Sequence, residues 1–243
     1  MTVQRIPAQQ RTWDAPADRV FAWAVHAYTA SGAVLAFLAT LAVVNGRYRD
    51  AFLLMTAATL VDATDGLLAR RARVSTVTPE LDGARLDDIV DYLTFVFVPA
   101  LLLYHAGDLP AGWSLAVVSA VLLSSAYGFS STDAKTSDHF FTGFPSYWNI
   151  AALYLHAARL APAINAGVLL ALSGLVFVRI GFVYPTRTPV LRGLTIALVA
   201  VWTVMVLAIV LTLPSVPAPL LIGSLFFPVY YTVLSLVLHS RRS

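Results

Sequence analysis

Acidic side chains are scarce in this chain, and they are clustered. Seven of the 13 Asp and Glu residues in 243 lie between Asp62 and Asp91. The first group reads Leu60-Val61-Asp62-Ala63-Thr64-Asp65-Gly66-Leu67-Leu68-Ala69-Arg70, after an apolar run at 52–61. The second reads Gly83-Ala84-Arg85-Leu86-Asp87-Asp88-Ile89-Val90-Asp91. At helical period, Asp62 and Asp65 (i, i+3) share a face that Gly66 and Ala69 continue, and Gly83, Asp87 and Asp91, four apart, form a second stripe. A turn over 71–82 makes the two helices antiparallel neighbours, with four carboxylates facing each other. Ionised carboxylates at membrane depth are costly, and close ones repel. Asp62, Asp65, Asp87 and Asp91 therefore call for cations, and all-oxygen ligands suit Mg²⁺ or Mn²⁺. Four carboxylates can hold two such ions, a device for displacement at phosphorus. Glu80 and Asp82 read instead as a solvated network with Arg70, Arg71, Arg73 and Arg85. Asp88, one residue off the stripe, reads as an arginine partner or a further catalytic acid.

The helices that carry these stripes are expected in a membrane. Hydrophobic residues make up 58 % of the chain and charged residues 12 %, about half the charged share of a soluble domain. Stretches able to cross a hydrocarbon layer, which takes about 20 residues, lie at 20–44, 51–70, 86–105, 113–131, 163–184, 190–213 and 217–238. A shorter amphipathic run at 145–160 holds Asn149, His156 and Arg159. The expected fold is all-α, a polytopic helix bundle with about eight transmembrane helices, and the alternation of a β-barrel is missing. With the N-terminus in the cytoplasm, eight spans put 13 of the 16 Lys and Arg inside and leave Arg47, Arg49 and Arg159 outside, the usual inward bias. Dropping the run at 145–160 would move the later arginines outside.

Residues 1–19 read as a basic cytoplasmic segment resting on anionic lipid heads. Residues 20–243 read as one transmembrane catalytic domain with its active site on the second and third helices. The first apolar run is too long for a signal peptide and reads as a retained span. The absence of cysteine excludes disulfides, thiolate metal sites and a cysteine nucleophile. The net charge of +3 follows from the inward bias and needs no nucleic acid partner.

These residues resemble the CDP-alcohol phosphotransferase family, whose signature is D-x-x-D-G-x-x-A-R, a spacer, then G-x-x-x-D-x-x-x-D. Asp62, Asp65, Gly66, Ala69, Arg70, Gly83, Asp87 and Asp91 match every fixed position. The spacer, residues 71–82, is longer than is usual in the family. In that respect, in chain length and in the block at 138–149, the sequence is similar to the bacterial phosphatidylcholine synthase branch. The resemblance implies transfer of the phosphatidyl group of CDP-diacylglycerol to choline with release of CMP, at the cytoplasmic face of the bacterial inner membrane. It implies two divalent ions, Mn²⁺ or Mg²⁺, on the four aspartates, with Asp91 also taking the proton of the attacking hydroxyl. Gly66, Ala69 and Gly83 would line the cytidine pocket, and Arg70 would support a phosphate or the acid network. A homodimer is compatible with the sequence.

Choline has no N–H to donate, so aromatic faces and a nearby anion are what can hold it. Tyr147 and Trp148, beside Pro145, are the preferred pair, and Tyr92 and Tyr184 are further candidates, although Tyr and Trp also form interfacial belts. Lys135 could reach a lipid phosphate or act as an inner anchor, and Arg179, close to the inner end of a span, could pair with a phosphate too. His26 reads as a hydrogen-bonded packing residue rather than a ligand. Acceptors such as glycerol phosphate, inositol phosphate or serine carry anionic groups and call for clustered Arg or Lys, whereas 133–149 offers one lysine and many aromatics. A cation transporter with an acidic intramembrane site is the distant alternative. It leaves Gly66, Ala69, Arg70 and Gly83 unexplained.

Overall fold

The computed structural model describes residues 16–131, 140–183 and 190–240. Helices α1 (Pro16–Val44) and α2 (Tyr48–Ala72) are joined by a turn in which Gly46 takes φ +68°, a conformation that glycine adopts without strain. At the end of α2, Arg73 is left-handed, and its amide reaches the carbonyls of Ala69 and Arg70. The one-turn α3 (Val74–Val77) leads to α4 (Gly83–Asp91), where the Asp82 carboxylate accepts from the Arg85 amide at 3.1 Å. A side-chain acceptor there satisfies one of the free amides of a helix start.

Helix α4 continues without a break through a π-helical segment (Tyr92–Phe97) into α5 (Val98–His105). Pro99 accounts for the π turn. A proline inside a helix has no amide to donate and crowds the carbonyl four residues back, here that of Phe95; the wider turn relieves the clash. There follow α6 (Ser114–Ser130), α7 (Trp148–Ala158), α8 (Pro162–Leu175), α9 (Arg192–Thr212), α10 (Ala218–Ser224) and α11 (Phe226–Ser240). A short antiparallel ladder pairs β1 (Phe140–Thr142) with β2 (Gly181–Val183), Phe141 opposite Phe182.

The chain is thus an all-α bundle in outline, with helix in each of the eight stretches marked by the sequence. Length separates them. Helices α1, α2, α9 and the 218–240 unit are long and apolar enough to cross a membrane, while α6 and α8 are apolar but shorter. Helix α7 has 11 residues, about 16 Å at 1.5 Å per residue, roughly half a hydrocarbon layer. The expected helix over 163–184 stops at Leu175 because other backbone takes its end: Phe144 donates to the Leu175 carbonyl at 3.1 Å and Gly143 to that of Ile180 at 2.9 Å. Gly143 lies against the Val176 carbonyl at φ +79°, where a side chain could not fit.

Val43, Phe52, Met55, Val96, Leu102, Trp148, Leu153 and Ile209 form the core. Val34, Phe37, Leu123, Val204 and Val229 stand exposed on the outside, as expected of helices solvated by lipid. The end of the bundle away from the aspartates is tied by polar side chains. Tyr48 Oη lies 3.1 Å from His105 Nδ1, His156 Nδ1 lies 2.7 Å from Asp108, and Asn165 donates to the Asp108 carbonyl at 2.9 Å.

Candidate active site

The antiparallel pair α2 and α4 brings three aspartates together. Asp62, Asp87 and Asp91 each present one carboxylate oxygen, and these oxygens lie within 4.8 Å of one another. All three side chains are half-buried. Converging carboxylates raise the cost of ionisation unless a cation intervenes. The donors are hard oxygens on two helices at a spacing one ion could bridge, which fits a divalent ion of the Mg²⁺ or Mn²⁺ class.

Asp65 is not one of that trio. It is buried, and its Oδ2 accepts from Thr29 Oγ1 of α1 at 2.9 Å. Three residues along a helix turn a side chain by about 300°, which leaves Asp65 about 60° from Asp62 and toward α1. Helix α1 forms a third wall. His26 Nε2 lies 2.9 Å from Thr78 Oγ1, so this buried histidine is a packing residue, as the sequence suggested. A methyl group on Gly32 would sit 2.5 Å from Val90 Cγ1, so glycine there permits the close approach of α1 to α4.

Of the small residues, Gly66 is open apart from Arg70 Nη1 at 3.4 Å from a built Cβ, and Ala69 is half-buried. Gly83 faces His26, whose Cε1 would be 3.1 Å from its Cβ, so helix packing by itself accounts for that glycine. Arg70 is exposed. In the spacer, Glu80 pairs with Arg19 at 2.6 Å rather than with Arg70, Arg71, Arg73 or Arg85. Its own backbone amide and the Arg19 guanidinium hold the carboxyl below the ordinary glutamate value. Asp82 caps α4 and lies 3.9 Å from Arg85. Asp88 is not one of the trio and lines an open groove of about 620 Å³ with Arg85, Tyr92, Phe129 and Ser130.

The start of α7 is tied to α2. Asn149 donates to Thr59 Oγ1 at 3.2 Å, and Thr59 precedes Asp62 by three residues. Tyr147 is 36 % exposed there, and its hydroxyl is hydrogen-bonded to that of Tyr231. Trp148 is a core residue instead. It is 1 % exposed, donates from Nε1 to Ser125 Oγ at 2.6 Å and packs edge-on against Phe144, so protein covers its ring faces. Tyr92 is turned inward too, donating to the Leu122 carbonyl at 2.9 Å. Arg179 lies between α8 and β2. Tyr184 and Lys135 fall outside the described residues. Sequence reasoning missed Thr29 and Tyr231. The adjacent tyrosines Tyr230 and Tyr231 in a largely apolar last helix were the available signal for the second.

The sequence is 38 % identical over 218 residues to the phosphatidylcholine synthase of Pseudomonas aeruginosa, covering 90 % of this chain and 91 % of the relative. The chain belongs to the phosphatidylcholine synthase family. The family member of Rhizobium meliloti is 34 % identical over 224 residues, 92 % of both chains. That of Legionella bozemanae is 47 % identical over 141 residues, 58 % of this chain and 65 % of its own. No protein-family model matches the chain.

Proposed function

We propose that this chain is a phosphatidylcholine synthase that transfers the phosphatidyl group of CDP-diacylglycerol to choline and releases CMP. The observation that carries the reading is the end-to-end similarity to proteins of that name, joined to three aspartates converging at a membrane helix pair. Asp62, Asp65, Asp87 and Asp91 would hold two divalent ions, Mn²⁺ or Mg²⁺, which would supply positive charge to offset that of the pyrophosphate and the leaving CMP. An Asp91 carboxylate oxygen accepts the choline hydroxyl proton as the oxygen attacks phosphorus and the bond to CMP breaks. Gly66 and Ala69 leave room for the nucleotide, with Gly83 closing the helix pair on His26. Arg70, Arg179 and Lys135 would meet phosphates. Tyr147, supported by Tyr231, offers a ring face to the quaternary ammonium, while Trp148 holds the start of α7 from within.

The proposed setting is eight membrane crossings in the bacterial inner membrane, with 1–19 and the site on the cytoplasmic side and 20–243 as one catalytic domain. Arg70, Arg71, Arg73 and Arg85 at the aspartate end support that orientation. In this reading the shorter α6, α7 and α8 would be the remaining crossings, beside the 83–105 run. The test incubates purified protein with CDP-diacylglycerol, Mn²⁺ and each of choline, glycerol phosphate, inositol phosphate and serine. Choline-dependent CMP release with phosphatidylcholine as the lipid product is expected. CMP release with another acceptor and none with choline would overturn the choice of substrate and leave the aspartate chemistry standing.

A further inference from the structure

Threonine hydroxyls in these helices mostly bond their own backbone. Those of Thr56, Thr59, Thr64, Thr94, Thr203 and Thr212 donate to a carbonyl three or four residues back, the ordinary resting place for threonine in an apolar helix. Thr29 spends its single proton differently. It reaches across from α1 to α2 and donates to Asp65 Oδ2 at 2.9 Å, with Thr29 8 % and Asp65 6 % exposed. Among the described residues this is the side-chain hydrogen bond that Asp65 accepts, and none of the ion pairs found there includes Asp65. A buried carboxylate has about four acceptor positions and a charge that one neutral hydroxyl cannot balance.

Thr29 also sits on an organised face. His26, Thr29 and Gly32 follow at three-residue steps along α1. His26 packs on Gly83 and bonds Thr78, while Gly32 admits Val90, the neighbour of Asp91. Both flanking contacts fix α1 against the helices that carry the aspartates, so the hydroxyl is delivered to Asp65 at a set height and angle.

We propose that Thr29 is a positioning residue for Asp65: its hydroxyl fixes the rotation of the carboxyl group by holding Oδ2 and reserves Oδ1 for a divalent cation. This rests on Asp65 being a metal ligand, as read above. Partners that orient a ligand in this way commonly change metal affinity about 10- to 100-fold when removed.

The test is Mn²⁺ binding to full-length protein in detergent without substrate, read from loss of the free Mn²⁺ electron paramagnetic resonance signal. Thr29→Val, which keeps the shape and removes the donor, is expected to weaken binding about 10-fold. Thr29→Ser, which keeps the donor, is expected to restore most of it. Thr29→Ala replaces the valine variant if that one does not fold. Asp65→Asn separates the two layers of the reasoning. If Asp65→Asn binds Mn²⁺ like the parent, Asp65 is no ligand and the underlying reading fails. If it binds weakly while Thr29→Val matches the parent, Asp65 stands and the role of Thr29 is overturned. In the Asp65→Asn background, Thr29→Val should add nothing. A full additional 10-fold loss there would show that Thr29 acts elsewhere and overturn the proposal.

Discussion

Tyr147 and Trp148 are adjacent in sequence but differ in burial, so leucine at each should fail in a different way. Tyr147 is 36 % exposed. A cation on a ring of that exposure is worth about 1 kcal/mol, between the exposed and desolvated limits, or roughly fivefold in affinity. Tyr147→Leu should therefore raise the choline KM about fivefold, leave CDP-diacylglycerol binding unchanged and barely alter folding. Tyr147→Phe should lose less, because the ring face survives and only the hydroxyl contact with Tyr231 goes. Trp148 is 1 % exposed with its indole N–H on Ser125. Trp148→Leu opens a core cavity and removes the shorter of the two hydrogen bonds that Ser125 Oγ accepts, leaving that from Ser146, at a cost of about 3 kcal/mol. That loss should appear as a lower unfolding temperature and yield, with the choline KM of the surviving enzyme unchanged. The assay is a choline saturation curve at fixed CDP-diacylglycerol and Mn²⁺, paired with thermal unfolding of each variant. A parental choline KM in Tyr147→Leu would remove that ring from the acceptor site. A raised KM with normal stability in Trp148→Leu would show that its ring faces are reachable after all.

Three further outcomes are expected. Asp62→Asn, Asp87→Asn and Asp91→Asn should each remove nearly all turnover, since each withdraws one charge from a cluster whose oxygens lie within 4.8 Å; parental CMP release from any one would remove that residue from the metal site. Gly83→Leu should destabilise the bundle by forcing His26 aside, whereas Gly66→Ala should be tolerated because a built Cβ meets only the end of Arg70; unfolding temperatures compare the two. Glu80 is held below its ordinary value by its own backbone amide and by Arg19. A depressed carboxylate contributes stability above its unfolded value and loses it as pH falls through the folded one. Glu80→Gln should thus lower the unfolding temperature near pH 7, with the gap closing as pH drops below about 4.5; a gap independent of pH would refute this.

The aspartate site was largely legible because helical spacing is local information. Asp87 and Asp91 differ by about 40° around a helix, and the short spacer constrains α2 and α4 to be neighbours, so their meeting with Asp62 follows from the sequence. Asp65 shows the limit of that reasoning. A shared face allows a 60° spread, and which side of it meets which helix depends on α1, a separate element whose packing no spacing reports. Thr29 lies 36 residues from Asp65 and was invisible for the same reason. The burial of Trp148 was not legible, because an aromatic ring at a helix start looks alike in sequence whether it meets lipid, ligand or core. The early end of α8 depends on amides at 143–144 that arrive from elsewhere in the chain. Pro99, by contrast, was in plain view and marks the π turn.

That π turn also sets a phase relation. A π turn accommodates one residue more than an α turn does, and each residue of a helix corresponds to about 100° of rotation. The helical run 83–105 is therefore two α-helices clocked against each other. Val98, Ala100, Leu102 and Leu103 are buried after the insertion, and Asp87 and Asp91 point at Asp62 before it. Deleting a single residue between Tyr92 and Phe97 would let the whole run close into regular α-helix. It would be one residue shorter and almost as apolar, yet with α5 locked in the core the two aspartates would swing about 100° away from α2. The dyad-like spacing of the acidic stripe is in this sense only half of a code, and the other half is the count of residues that lies downstream of it.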